Sequence, residues 1–200
     1  MIKCVIIDWD GTLIDSMETV FKIYSVHSGK PLEYIRKNFD PDWRNFIAKE
    51  NLPEMSYDKW QQLLDRFGTK IFQGAAEFLR KLKKDYVLCL ATSTTIITVN
   101  ADLKRYGLSG IFDVFVTSED VRKLKPDPEC LKVALKKLNA EKEECVFVGD
   151  ADADATAAKA IGMKFIGVGW GYQPPERVRR VNNDRIVNSF EELYNTIKEL

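Results

Sequence analysis

Short apolar runs recur along the chain and predict the strands of a sheet. Five such runs occupy residues 4–7, 86–91, 114–117, 145–148 and 165–168. Each run is continuously apolar rather than alternating with polar residues, which is typical of strands covered on both faces. The pattern therefore predicts a parallel sheet of about five strands, buried inside the fold.

The segments between these runs have the spacing of amphipathic helices. One helix is predicted from apolar residues at 75, 78, 79 and 82, and another from those at 131, 134, 135 and 138. Asp127 is the predicted N-cap of the second helix, with Pro128 at its first position. Ser189 opens a capping box that predicts a last helix. Because strands and helices alternate, we predict an α/β, doubly wound (Rossmann-like) fold.

One connection is much longer than the others. Nearly 80 residues separate the first two apolar runs, whereas a plain strand–helix–strand crossover needs only a dozen or more. Helical stripes start at Met17 and Tyr57, and Gly29, Pro31, Pro41 and Pro53 interrupt them. We predict a small all-helical cap over residues 16–73, inserted into a catalytic core of residues 1–15 and 74–200. Its aromatic side chains Tyr34, Phe39, Trp43 and Phe46 are interpreted as packing residues rather than substrate contacts.

Charge and composition exclude several classes of function. The chain has 30 Lys and Arg against 30 Asp and Glu, so the basic excess on which non-specific nucleic-acid or membrane-surface binding depends is missing. Its apolar runs reach about five or six residues, far short of the roughly 20 of a spanning helix. No signal-like stretch precedes Asp8. We therefore predict a cytoplasmic protein with no nucleic-acid and no membrane partner.

Polar residues follow four of the predicted strands. In an open α/β sheet, ligands bind in the crevice outside the carboxyl ends of the strands. We therefore expect the polar residues after each run to converge on one site. These residues are Asp8 and Asp10, Thr92 and Ser93, Lys125, and Asp150 and Asp154.

The expected cluster has a chemistry of its own. Asp8, Asp10 and Asp150 would repel one another by on the order of 4 kcal/mol per pair at about 4 Å, and a cation would relieve that repulsion. Oxygen ligands without His or Cys favour Mg²⁺. Lys125 and the Thr92 hydroxyl would offer a positive charge and a donor to an anionic substrate. The pattern therefore indicates a magnesium-dependent phosphate site.

The same residues resemble the motifs of a known family. Residues 8–16, Asp-Trp-Asp-Gly-Thr-Leu-Ile-Asp-Ser, are similar to the first motif of the haloacid dehalogenase superfamily, in its phosphatase and phosphomutase branch. Thr92 matches the second motif, Lys125 the third, and Asp150 with Asp154 the fourth. The resemblance runs from residue 3 to about residue 172, and the insertion matches the helical cap of phosphoglycolate phosphatase-like members.

The resemblance implies a role for each residue. Asp8 would be the nucleophile that becomes an aspartyl phosphate, and Asp10 the general acid and base. Thr92, Ser93 and Lys125 would bind the transferring phosphoryl group. The metal residues would be Asp8, Asp10 through its backbone carbonyl, Asp150 and Asp154, the last tuning or orienting the metal shell. The implied activity is hydrolysis of a small phosphorylated metabolite.

Two departures and several alternatives accompany this interpretation. Trp9 stands where the family usually has phenylalanine, and Ala151 where serine is frequent; both leave the predicted carboxylates in place. A sugar-phosphate mutase shares the motifs and the cap type, and a phosphoacceptor signalling module also has acids, a threonine and a lysine at strand ends. The substrate stays open between phosphoglycolate, a sugar phosphate, a nucleotide and pyrophosphate, and the oligomeric state is unknown.

Overall fold

A parallel sheet forms the centre of the protein in a computed structural model, which describes residues 1–40, 42–181 and 185–200. Within these residues the strands are β1 (Cys4–Ile7), β2 (Ile14–Asp15), β3 (Lys70–Ile71), β4 (Val87–Ala91), β5 (Val114–Val116), β6 (Cys145–Gly149), β7 (Lys164–Val168) and β8 (Ile186–Val187). The main sheet has six strands in the order β5-β4-β1-β6-β7-β8, and every pair in it is parallel. Strands β2 and β3 form a separate antiparallel pair.

The predicted fold class is confirmed, with one strand more than expected. All five apolar runs are strands of the sheet. The sixth, β8, lies at the edge beside β7 and contains only two residues, Ile186 and Val187. Two apolar residues between polar neighbours are too short a run to distinguish a strand from a loop.

Helices follow the strands and cover both faces of the sheet. Those described are α1 (Met17–Ser28), α2 (Leu32–Asn38), α3 (Trp43–Lys49), α4 (Tyr57–Phe67), α5 (Ala75–Leu82), α6 (Ile96–Arg105), α7 (Glu129–Leu138), α8 (Asp152–Ile161), α9 (Pro175–Val181) and α10 (Phe190–Lys198). Short 3₁₀ turns occupy Ser118–Asp120 and Lys142–Glu144. None of the described helices is both long enough and apolar enough to cross a membrane.

Alternate residues of the central strand supply two hydrophobic clusters. Val5 and Ile7 belong to a cluster with apolar residues of α5, α6 and α10, whereas Cys4 and Ile6 belong to a cluster with residues of α7, α8 and α9. Successive side chains of a strand point to opposite faces. The two clusters therefore bury both faces of the sheet, as a doubly wound fold requires.

The predicted helix caps lie close to their expected places. The Asp127 carboxylate accepts a hydrogen bond from the Glu129 backbone N–H at 3.0 Å, so its side chain satisfies the first N–H group of α7. The helix begins at Glu129, with Pro128 at the N-cap, one residue later than predicted. Ser189 accepts from the Glu192 N–H at 3.1 Å, as expected at the start of α10.

Among the described residues, four helices lie between β2 and β3, namely α1 to α4, and we call them the inserted helices. Met17, Phe21 and Tyr24 of α1 pack with Ile35 and Phe46 in a hydrophobic cluster distinct from those of the sheet. The segment predicted as all-helical also contains the short strand β3. Its division from the core at residues 16–73 stays a prediction, and Pro41, a predicted helix breaker, lies outside the described residues.

Candidate active site

Three strands bring buried polar side chains to one edge of the sheet. Asp8 follows β1, Thr92 follows β4 and Asp150 follows β6, and each is at most 5% exposed. Because these strands are parallel neighbours, their carboxyl ends coincide. The backbone fixes the register there, since the Asp8 N–H donates to the Val148 carbonyl at 2.9 Å.

Asp8, Asp150 and Asp154 form a buried carboxylate cluster. Each of the three offers an oxygen, and these oxygens all lie within 4.8 Å of one another. The Lys125 Nζ lies 2.5 Å from Asp8 Oδ1 and 2.7 Å from Asp154 Oδ1. It also donates to the Ala91 carbonyl at 3.3 Å. One buried lysine therefore faces three buried acids.

Further hydrogen bonds orient two of these carboxylates. Asp150 accepts from the Thr12 hydroxyl at 3.3 Å and from the Tyr172 backbone N–H at 3.1 Å. Asp154, at the start of α8, accepts from the Ala151 backbone N–H at 3.0 Å. The donors come from loops that the fold places beside the sheet edge, so the carboxylate positions are set by the backbone.

Glycines leave room for the cluster. A Cβ on Gly11 or on Gly171 would come within 2.6 Å of Asp150 Cγ, and one on Gly149 within 2.6 Å of Asp154 Cγ. Gly11 also has a φ of +80°, in the left-handed region that favours glycine. Side chains at these positions would displace the carboxylates.

Asp10 lies close to the carboxylate cluster but outside it. The Ser16 hydroxyl donates to its Oδ1 and the Thr94 hydroxyl to its Oδ2, each at 2.5 Å. Two donors thus hold this side chain apart from the other acids. Three of the four predicted metal residues bring their carboxylates together, and the fourth, Asp10, was assigned a backbone oxygen.

Burial dominates the electrostatics of the cluster. It raises the pKa of Asp8 to about 7, with Lys125 opposing the rise and Asp154 and Asp10 adding to it. Burial, then Asp154 and Asp8, raise the pKa of Asp150 well above its usual range. For Lys125, burial lowers the pKa, but Asp154 and Asp8 outweigh it and raise the pKa overall. One cation does not neutralise three acids, so this oxygen-only set fits a hard divalent cation.

The polar run after β4 contributes several donors. Thr92 Oγ1 accepts from the Thr94 backbone N–H at 3.1 Å. Both residues, together with Ser93, line a cavity beside the carboxylate cluster. No role was predicted for Thr94 or Ser16 from the sequence, although Thr94 follows Ser93 and Ser16 is the last residue of the first motif. Tyr172 was missed because its contact to Asp150 uses the backbone, which leaves no signal in the residue type.

A cavity of about 370 Å³ lies beside the cluster. Predicted residues line one side of it, namely Asp8, Asp10, Thr92, Ser93, Lys125, Asp150 and Asp154. The inserted helices and the loop before α4 supply the other side, which we call the apolar wall: Met17, Val20, Tyr24, Phe39, Trp43, Ile47, Met55, Tyr57 and Trp60. Phe39 and Trp43 therefore line the cavity, whereas Phe46 is fully buried and Tyr34 is exposed.

Three consecutive residues attach the inserted helices to the sheet loops. Asp42 accepts from the Leu124 N–H at 3.4 Å, and the Trp43 indole N–H donates to the Ser93 carbonyl at 2.9 Å. Arg44 donates to the carbonyls of Val121 and Arg122 at 3.4 and 3.0 Å, and to that of Ser118. These bonds hold the apolar wall over the carboxylate cluster.

Comparison with known proteins gives the family. The family model described as haloacid dehalogenase-like hydrolase matches residues 5–168. The chain belongs to this family. The predicted recognition and the predicted enzyme class, a hydrolase of the phosphatase type, are confirmed.

Similar proteins extend the likeness over nearly the whole chain. The pyrophosphatase PpaX of Bacillus velezensis is 30% identical over 96% of this chain and 94% of its own. A predicted phosphatase from Clostridium acetobutylicum has a TM-score of 0.83 at 26% identity, with 100% of both chains covered. A hydrolase from Pseudomonas syringae has a TM-score of 0.78 at 27% identity, with 99% of both covered. The family thus accounts for the inserted helices as well as the sheet.

Proposed function

We propose that the protein is a magnesium-dependent phosphatase that hydrolyses a small phosphoric monoester through an aspartyl phosphate on Asp8. One observation carries the proposal: two acids that are two residues apart in the chain have different surroundings. Asp8 lies in the carboxylate cluster, 2.5 Å from Lys125, whereas Asp10 lies outside it and is held by two hydroxyls. A nucleophile and a general acid need such different environments.

In the first step, an Asp8 carboxylate oxygen forms a bond to phosphorus while the bond from phosphorus to the ester oxygen breaks. Asp10, protonated at this stage, gives its proton to the departing oxygen, so an alcohol leaves. Lys125 and the Thr92 hydroxyl bind the phosphoryl oxygens. Lys125 also opposes the effect of burial on the pKa of Asp8, which favours the charged form that attacks.

In the second step, Asp10 takes a proton from water as the water oxygen bonds to phosphorus. The bond between phosphorus and the Asp8 oxygen breaks, which releases inorganic phosphate and restores the free carboxylate. Ser16 and Thr94 hold Asp10 in one position for both proton transfers. Asp8, Asp150 and the Asp10 carbonyl would hold Mg²⁺, with Asp154 orienting them, and the ion would neutralise phosphoryl charge.

Phosphate release from p-nitrophenyl phosphate tests the proposal. We expect activity with Mg²⁺, none with EDTA, and a loss of at least roughly 10³-fold in Asp8→Asn. Asp152→Asn is the matched control, because Asp152 lies on the same helix as Asp154 but pairs with Arg177 at 2.6 Å. Mass spectrometry of acid-quenched enzyme should find the phosphoryl group on the peptide that contains Asp8. Activity that survives both EDTA and Asp8→Asn would refute the mechanism.

The mutase alternative makes a further demand on the cavity. Moving a phosphoryl group between two hydroxyls by way of Asp8 passes through a bisphosphate, so a second phosphate must fit opposite the cluster. A product assay on hexose 1-phosphates decides between the two, since isomerisation without release of phosphate would favour the mutase. The cytoplasmic location and the lack of nucleic-acid and membrane partners stay predictions.

A further inference from the structure

The charges around the cavity are distributed very unevenly. Lys125 is the single lysine or arginine that lines it among the residues described, and Asp8 and Asp154 already engage its Nζ. The apolar wall consists of aliphatic, sulfur-containing and aromatic side chains. Glu54, an exposed residue that also lines the cavity, adds a further negative charge.

Three basic residues of the segment between β2 and β3 are engaged elsewhere. Lys30 pairs with Glu50, and Arg36 pairs with Glu18 at 2.7 Å. Arg44, which lies next to Trp43, donates instead to backbone carbonyls of residues 118–122. None of these cations lines the cavity.

The first amide group of α6 does not replace them. The first helical N–H, that of Ile96, donates to the Glu119 carboxylate at 3.2 and 3.3 Å. A carboxylate of the protein therefore occupies the position at which an anion would bind a helix N-terminus. Ser93, Thr95 and Thr98 offer hydroxyls on that side of the cavity, which carry no positive charge to compensate a second anion.

A substrate with a second anionic group would meet no compensating charge here. The second anionic group, whether a carboxylate or a phosphate, would be desolvated against the apolar wall and would face the negative charge of Glu54. A volume of about 370 Å³ is near the lower end of ligand cavities, so the organic group is small. Aromatic walls of this kind bind apolar groups through burial and ring contacts.

The inference rests on the proposed function and names its substrate class. We infer that the substrate is a phosphoric monoester whose organic group is apolar or aromatic and carries no second anionic group. This differs from the activity in the name of the PpaX relative, since pyrophosphate carries a second phosphoryl group. It also disfavours phosphoglycolate and the bisphosphate that a mutase requires.

A matched pair of esters tests the inference. Both 2-phenylethyl phosphate and phosphoglycolate are phosphate esters of a primary alcohol, so they differ mainly in the group that faces the apolar wall. With Mg²⁺, we expect kcat/KM for the phenyl compound to exceed that for phosphoglycolate and for pyrophosphate by at least roughly tenfold. A value for either anionic compound equal to or above that of the phenyl compound would overturn the substrate class and leave the phosphatase proposal intact. Hydrolysis of none of them, nor of p-nitrophenyl phosphate, would refute both.

A charge substitution with a matched control tests whether the discrimination against anionic groups arises at the cavity. Glu54→Lys places a cation at the cavity and should raise kcat/KM for phosphoglycolate by roughly fivefold relative to the phenyl ester. Asp58→Lys changes the charge equally at an exposed position that does not line the cavity, and should change neither value. An equal effect of both variants would contradict the inference.

Tyr57 tests the aromatic contact. This residue is 41% exposed, so Tyr57→Ala should raise KM for 2-phenylethyl phosphate by roughly threefold to tenfold, and leave phosphoglycolate unchanged. Tyr34→Ala is the control, because Tyr34 is 38% exposed and lies outside the cavity lining. A Tyr57→Ala variant with an unaltered KM for the phenyl compound would argue against binding at the apolar wall.

Discussion

Asp102, a buried carboxylate on α6, should make the protein less stable as pH rises. The residue is 5% exposed. Its ion-pair partner is Arg105, whose Nη1 lies 3.6 Å from Asp102 Oδ1. Burial, reinforced by Asp10 and opposed by Arg105, raises the pKa of Asp102 from its ordinary value of 3.8 to about 6. Compared with the unfolded chain, the folded protein therefore favours the neutral form of this group.

The size and sign of the effect follow from linkage. The rise in pKa corresponds to about 3 kcal/mol of stability that is fully present below pH 3.8 and is lost as pH passes through about 6. Near pH 5 part of it is already lost, because the unfolded carboxyl is ionised there. Between about pH 5 and about pH 8 the remaining loss is about 1.4 kcal/mol.

Asp102→Asn removes this titration and keeps the shape of the side chain. The free energy of unfolding is measured in urea by tryptophan fluorescence, with EDTA present. Between about pH 5 and about pH 8, it should fall by about 1.4 kcal/mol more in the wild type than in the variant. Asp65→Asn is the control, since Asp65 contacts the same arginine at 3.0 Å but its side chain is 58% exposed. A difference between wild type and Asp102→Asn that is constant with pH, or grows in the opposite sense, would refute the reasoning.

Two further substitutions test the geometry of the site. Gly11→Ala should weaken Mg²⁺ binding by at least roughly tenfold in calorimetric titration, because its Cβ would reach within 2.6 Å of Asp150 Cγ. Gly110→Ala has nearly the same backbone strain, with φ +77° and nothing within 4 Å of such a Cβ, and should keep the affinity; equal weakening in both would contradict the steric explanation. Arg44→Ala removes the bonds from α3 to the carbonyls of residues 118–122 and should lower kcat/KM by roughly tenfold. Arg36→Ala, which removes an exposed ion pair, should not, and an unaltered rate in Arg44→Ala would show that these bonds do not position the apolar wall.

Much of the sheet could be predicted because burial on both faces leaves a strong trace in the sequence. Cys145–Gly149 is buried throughout, and its run of apolar residues marks it plainly. Strand β8 escaped prediction because it contains just two residues, Ile186 and Val187. The other edge strand, β5, was predicted from its longer apolar run.

The residues at the strand ends could also be predicted, since parallel topology brings Asp8, Thr92 and Asp150 to one edge. The sequence could not show that Asp10 turns towards Ser16 and Thr94, because side-chain direction depends on the path of the loop. Nor could it separate the aromatic residues of the inserted helices. Phe46 and Trp43 both lie on α3, and the hydrophobic pattern does not distinguish the buried Phe46 from Trp43, which lines the cavity.

The two sides of the cavity come from different stretches of the chain. Residues between 17 and 60 provide the apolar wall, whereas the acids and the lysine proposed to handle phosphate come from the strand ends and the Lys125 loop. A substitution in the first stretch can change the size or polarity of the accepted organic group without altering a proposed catalytic residue. New substrate ranges can therefore evolve through mutations confined to one continuous segment, and a library randomised only at the apolar wall would explore them.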